Sequence, residues 1–146
     1  MDRSKTRDAD ALIRTLAEFR YEMRQFLQFS EQAALKAGLQ AKQYQLLLQL
    51  AASPEDTAVT IAHIAERMGL KHNSAVELVD RCEAEGLVSR SEDSADRRRT
   101  ILRVTRKGSQ VLSRLAGQHA QELTEAAPRL IQALERIRQH KGTGAE

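Results

Sequence analysis

Two neighbouring amphipathic segments in the middle of the chain, each closed by a glycine, set the strongest limit on its fold. The first predicts a helix over Ile61–Met68, which Thr60 is placed to cap and Gly69 to end. The second predicts a helix from about Asn73 to Glu85. Its apolar residues recur at i, i+3, i+4 and i+7, the spacing of one buried helix face: Ala75, Leu78, Val79 and Cys82. Two short helices so close together in sequence must be joined by a tight turn.

A β-hairpin is predicted directly after the second of these helices. Residues 87–91 and 100–105 have strand-like composition and flank the polar stretch Glu92–Arg99, which forms a long tip. A short strand is also predicted at Thr57–Val59. Two short helices followed by a hairpin describe a winged helix-turn-helix, so the fold class is mainly α with a small β-hairpin wing.

Long helices are predicted on both sides of this central region, with a further helix over Ala41–Ala51. The first runs from about Asp8 to Lys36. The C-terminal part divides into a helix from Arg106 to about Leu123 and a last helix that begins around Pro128, since proline is tolerated in a first turn. Residues 141–146 are expected to fray.

The apolar stripes of the outer helices are larger than a small central domain can cover. On the first helix the stripe comprises Leu12, Leu16, Phe19, Met23 and Phe26. Burial against a second subunit removes this surface from water, and packing of the helices on each other within one chain is the alternative. The domains expected are a dimerisation helix (1–38), a winged helix-turn-helix (39–105) and C-terminal dimerisation helices (106–146).

The positive charge of the chain is concentrated in one short segment. From Ser89 to Lys107 there are seven basic and three acidic side chains, whereas the formal net charge of the whole chain is +3. A positive field on one face indicates an anionic partner. A solvated basic loop is the alternative.

Other features limit the function classes. One cysteine excludes an intrachain disulfide, and no apolar run reaches the roughly 20 residues that span a bilayer, so a cytoplasmic protein without membrane contact is expected. The four histidines lack metal-ligand spacing, and no nucleophile elbow or phosphate loop is present. No catalytic residue, metal or cofactor is therefore predicted.

The stretch from Gly38 to Gly108 resembles the multiple antibiotic resistance regulator (MarR) family. The most specific element is the wing, in which Asp93 and Asp96-Arg97-Arg98 precede an apolar strand that ends in Thr105-Arg106-Lys107-Gly108. The resemblance implies a homodimer that binds a pseudo-palindromic site on double-stranded DNA. It also implies repression that a small molecule, often aromatic or phenolic, relieves.

The exposed side of the second short helix is predicted to enter the major groove, through His72, Asn73, Ser74, Val76 and Glu77. Asn73 can pair with adenine, Val76 can touch a thymine methyl group and Glu77 can accept from cytosine. In the alternative, Ser74 and Glu77 form a capping box at the start of their own helix. This helix is net negative, so most of the affinity has to come from elsewhere.

The wing is predicted to supply that affinity. The resemblance implies that Arg98 enters the minor groove and that Asp96 orients its guanidinium group, and a narrow minor groove does favour arginine. The neighbouring arginines, Arg97, Arg99 and Arg90, serve phosphates or the folding of the wing, and solvated surface is an alternative for Arg97 and Arg99. Phosphate contacts are also predicted for Lys71 and Arg81.

A ligand cleft is a further expectation from the resemblance, lined by Phe19, Met23, Tyr44 and Leu47, with ordinary core packing as the alternative. Redox sensing through Cys82 is disfavoured because a thiol on an apolar face has a raised pKa. A winged helix that contacts another protein instead of DNA is the competing class of function.

Overall fold

The computed structural model describes residues 3–54 and 57–140; the segment 141–146, which was expected to fray, lies outside them. Over the described residues the chain forms five helices and one two-stranded antiparallel sheet, which confirms the predicted fold class. The elements are α1 (Arg3–Lys36), α2 (Ala41–Ala51), α3 (Ile61–Met68), α4 (His72–Ala84), β1 (Val88–Glu92), β2 (Thr100–Val104) and α5 (Arg106–Gln139).

The described residues divide into two compact units. One unit comprises α1 up to Ser30 and α5 from Gln118 onward. The other comprises residues 31–117, with α2, α3, α4 and the hairpin. The predicted wing and the helix before it therefore belong to a single unit.

The core of the unit 31–117 is built from aliphatic side chains. The four residues predicted for the inner face of α4 are all buried. They are joined by fully buried residues of the other elements, among them Leu46, Leu47, Ile64, Leu87, Leu102 and Leu115. Each such side chain contributes about 1.5–3 kcal/mol by leaving water, so this core holds α4 against the hairpin and α2.

The ends of α3 follow the signals in the sequence. The Thr60 hydroxyl oxygen accepts a hydrogen bond from the backbone N–H of His63 at 3.3 Å, which satisfies one unpaired donor of the first turn. Gly69 ends the helix with φ +64°, a conformation that costs other residues energy. This turn allows α4 to begin three residues later.

The hairpin pairs Val88 with Val104 and Glu92 with Thr100. The strand predicted at Thr57–Val59 is wrong. The backbone N–H of Leu102 donates to the carbonyl of Val59 at 2.8 Å, but this single hydrogen bond is not continued into a ladder. The apolar, β-branched side chain of Val59 therefore indicated a buried residue and not a strand.

The helix break predicted near Pro128 is also wrong, because α5 continues through the proline to Gln139. Proline removes one backbone hydrogen bond and costs about 3 kcal/mol inside a helix. The flanking turns consist largely of Ala, Glu, Leu, Gln and Arg, which favour helix, and α5 buries Ala126 and Ala133 on either side. These contributions offset the lost hydrogen bond.

The other unit consists of the described parts of α1 and α5 outside residues 31–117. His119 is buried there, with its Nε2 2.7 Å from the Ser30 hydroxyl and its ring edge-on to Phe26 and Phe29. Arg129 Nε donates to Glu22 at 2.8 Å. Large apolar side chains remain in water in one chain: Ile13 is 64% exposed, Leu27 61% and Ile131 60%.

No helix among the described residues has the combination of length and hydropathy that crossing a bilayer requires.

Candidate nucleic-acid interface

The outer face of α4 carries the side chains predicted for base contact. His72, Asn73, Ser74 and Glu77 are exposed and Val76 is half-buried, opposite the buried face of the same helix. The capping-box alternative for Ser74 and Glu77 is wrong, since Lys71 is the N-cap and Ser74 lies inside the first turn. Glu77 is therefore not turned back onto the start of its own helix.

The tip of the wing is folded by two aspartates. Asp93 accepts from the backbone N–H of Ala95 at 2.9 Å, and its own N–H donates to the carbonyl of Arg99 at 3.0 Å. Asp96 accepts from the N–H of Arg98 at 3.1 Å through its carboxylate and from that of Arg99 at 2.9 Å through its carbonyl. Side chains that bond to the backbone two residues on hold tight turns, so the tip has a defined shape.

Arg98 projects from this tip into solvent. Its side chain is 95% exposed, and its Nε lies 3.6 Å from Oδ1 of Asp96, which is the pairing that the family resemblance implies. An exposed ion pair contributes little to stability, so its value here is in biasing the direction of the guanidinium group. Arg97 and Arg99 are also exposed.

The remaining predicted phosphate contacts divide into two kinds. Arg81 on α4 and Lys71, which directly precedes this helix, are exposed. Arg90 is instead held by α4: its Nη2 pairs with Asp80, and its Nε lies 3.5 Å from Glu83. The sequence did not predict Asp80 and Glu83 as the partners of Arg90, because a pairing between a helix and a strand leaves no periodic signal.

The base of the wing is closed by backbone contacts around Thr105. The Thr105 hydroxyl donates to the carbonyl of Gly86 at 2.5 Å and accepts from the N–H of Gly108 at 3.1 Å, so it caps α5. Gly108 is buried against the backbone of Leu87, where a Cβ atom would lie 2.3 Å from the carbonyl oxygen. The sequence signal for this contact is the Thr-x-x-Gly spacing after β2.

Cys82 lies on the buried face of α4. Burial, and to a smaller extent the charge of Glu85, raises the pKa of its thiol to about 11. The hydrogen bond with Gln43 acts in the opposite direction and lowers this pKa. Gln43 is itself buried and donates to Glu85 at 2.9 Å. The thiolate, which is the reactive form, is therefore scarce at neutral pH.

Cys82 is expected to resist alkylation in the folded protein. At pH 8 a thiol with a pKa of about 11 is ionised to roughly one part in a thousand, and it is also shielded from reagent. Labelling by iodoacetamide, followed by intact-mass measurement, should be slow in buffer and fast in denaturant. Equal rates in the two conditions would show that α4 opens readily.

The residues predicted for a ligand cleft fall into both units. Tyr44 and Leu47 are buried in the core of unit 31–117, and burial raises the pKa of the Tyr44 hydroxyl. Phe19 and Met23 lie on α1 in the other unit, half-buried and exposed respectively. For Tyr44 and Leu47 this placement agrees with ordinary core packing.

An open cleft of about 620 Å³ lies within unit 31–117, between the start of α2 and the outer side of α4. Several of its lining side chains are charged or polar, including Gln40, Lys42, Ser74, Glu77 and Arg81. Three of these were predicted to contact DNA. A molecule held in this cleft would therefore occupy part of the same surface.

Part of this chain is similar in sequence to a known protein family. Residues 37–99 match the sequence profile of the MarR family. No curated protein sequence matches the chain.

Solved structures of several bacterial regulators share the fold. The chain is similar to MepR of Staphylococcus aureus in complex with DNA, with a TM-score of 0.70 and 20% identity over 82% of this chain and 88% of that one. It is similar to AbsC, a MarR family regulator of Streptomyces coelicolor, with a TM-score of 0.66 and 22% identity over 90% and 92%. It is also similar to CouR of Rhodococcus jostii RHA1 bound to p-coumaroyl-CoA, with a TM-score of 0.61 and 24% identity over 84% and 88%.

Proposed function

Because residues 37–99 match the sequence profile of the MarR family, we propose that this protein is a transcription regulator that binds double-stranded DNA as a homodimer and represses until a small molecule releases it. The observation that carries the proposal is that the exposed outer face of α4 and the exposed Arg98 at a folded wing tip belong to one unit. A helix fits the major groove and an arginine fits a narrow minor groove. The similarity to MepR, solved on DNA, supports this assignment.

The homodimer is supported by apolar surface that one chain leaves in water. Ile13, Leu27 and Ile131 are each more than half exposed, and all three belong to the unit formed by the described ends of α1 and α5. Burying such side chains against a second copy releases about 25 cal/mol per Å² of apolar area. A two-fold dimer would present two copies of α4, so its site should contain two inverted half-sites about 10 bp apart.

Release by a small molecule is supported by the similarity to CouR, which was solved with p-coumaroyl-CoA. The cleft between α2 and α4 is one place where such a molecule would act directly, because Ser74, Glu77 and Arg81 line it and also belong to the proposed DNA surface. Occupation of the cleft and contact with DNA would then compete.

The proposal is tested by enrichment of duplexes from a random library on the purified protein, followed by a salt titration with the enriched duplex. We expect inverted half-sites and a Kd that rises steeply with salt, because each phosphate neutralised by Lys or Arg contributes a slope of about 0.9. A winged helix that contacts another protein would enrich no sequence and show weak, nearly salt-independent retention. Light scattering of the protein alone should give the mass of a dimer.

A further inference from the structure

Arg90 on β1 is the one described wing side chain that forms ion pairs with α4. Its guanidinium group pairs with Asp80 through Nη2 and faces Glu83 through Nε at 3.5 Å. Asp80 and Glu83 are three residues apart and share one face of α4, so a single arginine can meet both. Its side chain is only 27% exposed, and its Nε has no hydrogen-bond partner among the described residues.

The charges around this contact explain why it matters for an anionic partner. Apart from Arg90, the ionised side chains of α4 and its flanks are two basic and four acidic ones: Lys71, Arg81, Glu77, Asp80, Glu83 and Glu85. A helix with this balance repels phosphates. Arg90 places its positive charge against the carboxylate of Asp80. It also links α4 to β1, the strand that leads to the wing tip.

We propose that Arg90 is a positioning residue that fixes the wing relative to α4, so that Arg98 and the outer face of α4 meet adjacent grooves of one duplex together. In this role Arg90 contacts no phosphate, and Asp80 reads no base but holds Arg90. The inference rests on the proposed DNA binding. The inference adds to the proposed DNA binding a contact between helix and strand, the latch, which is formed by Asp80, Glu83 and Arg90.

The substitution Asp80→Asn distinguishes the latch from long-range electrostatics, because the two predict opposite changes in DNA affinity. The change removes a negative charge from a surface that faces DNA, so long-range electrostatics alone predicts tighter binding. Loss of the latch predicts weaker binding, by about threefold or more, because paired charges are coupled. The probe is the duplex that the unmodified protein enriches from a random library.

A matched control removes a carboxylate that has no part in the latch. Glu66 on α3 belongs to the same unit, is exposed, and forms no ion pair with other described residues. Glu66→Gln is expected to leave affinity unchanged or slightly improved. Because Asp80 is itself more than half exposed, Asp80→Asn should melt within a few degrees of the unmodified protein by circular dichroism.

A second arm uses Arg90→Gln. In this background the carboxylate of Asp80 has lost its partner, so adding Asp80→Asn should no longer weaken binding and should restore part of it. The slope of log K against log salt should stay that of the unmodified protein, whereas loss of a phosphate contact lowers the slope by about 0.9. Arg90→Lys keeps the charge but loses the planar two-sided contact. Its affinity for the duplex should therefore lie between those of the unmodified protein and Arg90→Gln.

Each outcome decides the question. Tighter binding by Asp80→Asn in the otherwise unmodified protein, or a slope lowered by one phosphate in Arg90→Gln, overturns the latch while DNA binding stands. If the unmodified protein enriches no duplex, the proposed function fails, and the latch fails with it.

Discussion

Replacing Arg98 by alanine is expected to weaken binding to the enriched duplex by more than about tenfold, while the protein stays folded and dimeric. The side chain is 95% exposed and its only described ion pair is with Asp96, so the folded state loses almost nothing with it. In the complex, the guanidinium group would lie in a narrow minor groove, where the negative potential is strongest. The loss therefore falls on binding alone.

The measurement is fluorescence anisotropy with labelled duplex, alongside circular dichroism and light scattering. Arg114→Ala is the charge-matched control, because Arg114 is an exposed arginine on α5 in the same unit but outside the wing. Arg98→Lys should recover only part of the affinity, since an ammonium group lacks the planar fork of arginine. Unchanged affinity in Arg98→Ala would remove the wing tip from the interface.

Local signals in the sequence were sufficient for most element boundaries. The bounds of α2 and α3 agree with prediction, and α3 does so because Thr60 and Gly69 act only on their own turns. The buried face of α4 was also predictable, since spacing along one helix fixes which side chains share a side. The same periodicity predicted that the opposite face is exposed.

Contacts between distant parts of the chain were not predictable in this way. Arg90 was assigned to phosphates or to wing folding because no pattern in the sequence brings it to Asp80 and Glu83. Pro128 was interpreted by its local preference, whereas packing and the helix propensity of its neighbours decide that α5 continues. Val59 was interpreted by composition, whereas one hydrogen bond from Leu102 fixes it without forming a strand.

At Gly108 the addition of a single methyl group should lower the stability of the fold strongly. An alanine Cβ there would lie 2.3 Å from the carbonyl oxygen of Leu87 and 2.9 Å from Cγ1 of Val104. The first neighbour is backbone and cannot rotate away, so the start of α5 and the segment before β1 have to separate. Overpacking of this kind costs about 3 kcal/mol or more, which should lower Tm by about 10 °C.

The same helix provides the control for Gly108→Ala. At Gly117 a Cβ atom would meet nothing within 4 Å, so Gly117→Ala should stabilise the protein by about 0.5–1 kcal/mol, the ordinary gain of alanine over glycine in a helix. Thermal unfolding followed by circular dichroism measures both. If Gly108→Ala also raised Tm, the close approach of α5 to Leu87 would be wrong.

The consequence of Gly108→Ala for DNA binding follows from where the displaced backbone leads. Leu87 directly precedes β1, and its carbonyl accepts from the N–H of Thr105 at 3.0 Å, so a shift there moves both strands of the hairpin at their base. The wing tip is built from its own aspartate turns and would keep its shape while its direction changes. Affinity for the enriched duplex should therefore fall in Gly108→Ala even well below its Tm, and it should stay unchanged in Gly117→Ala.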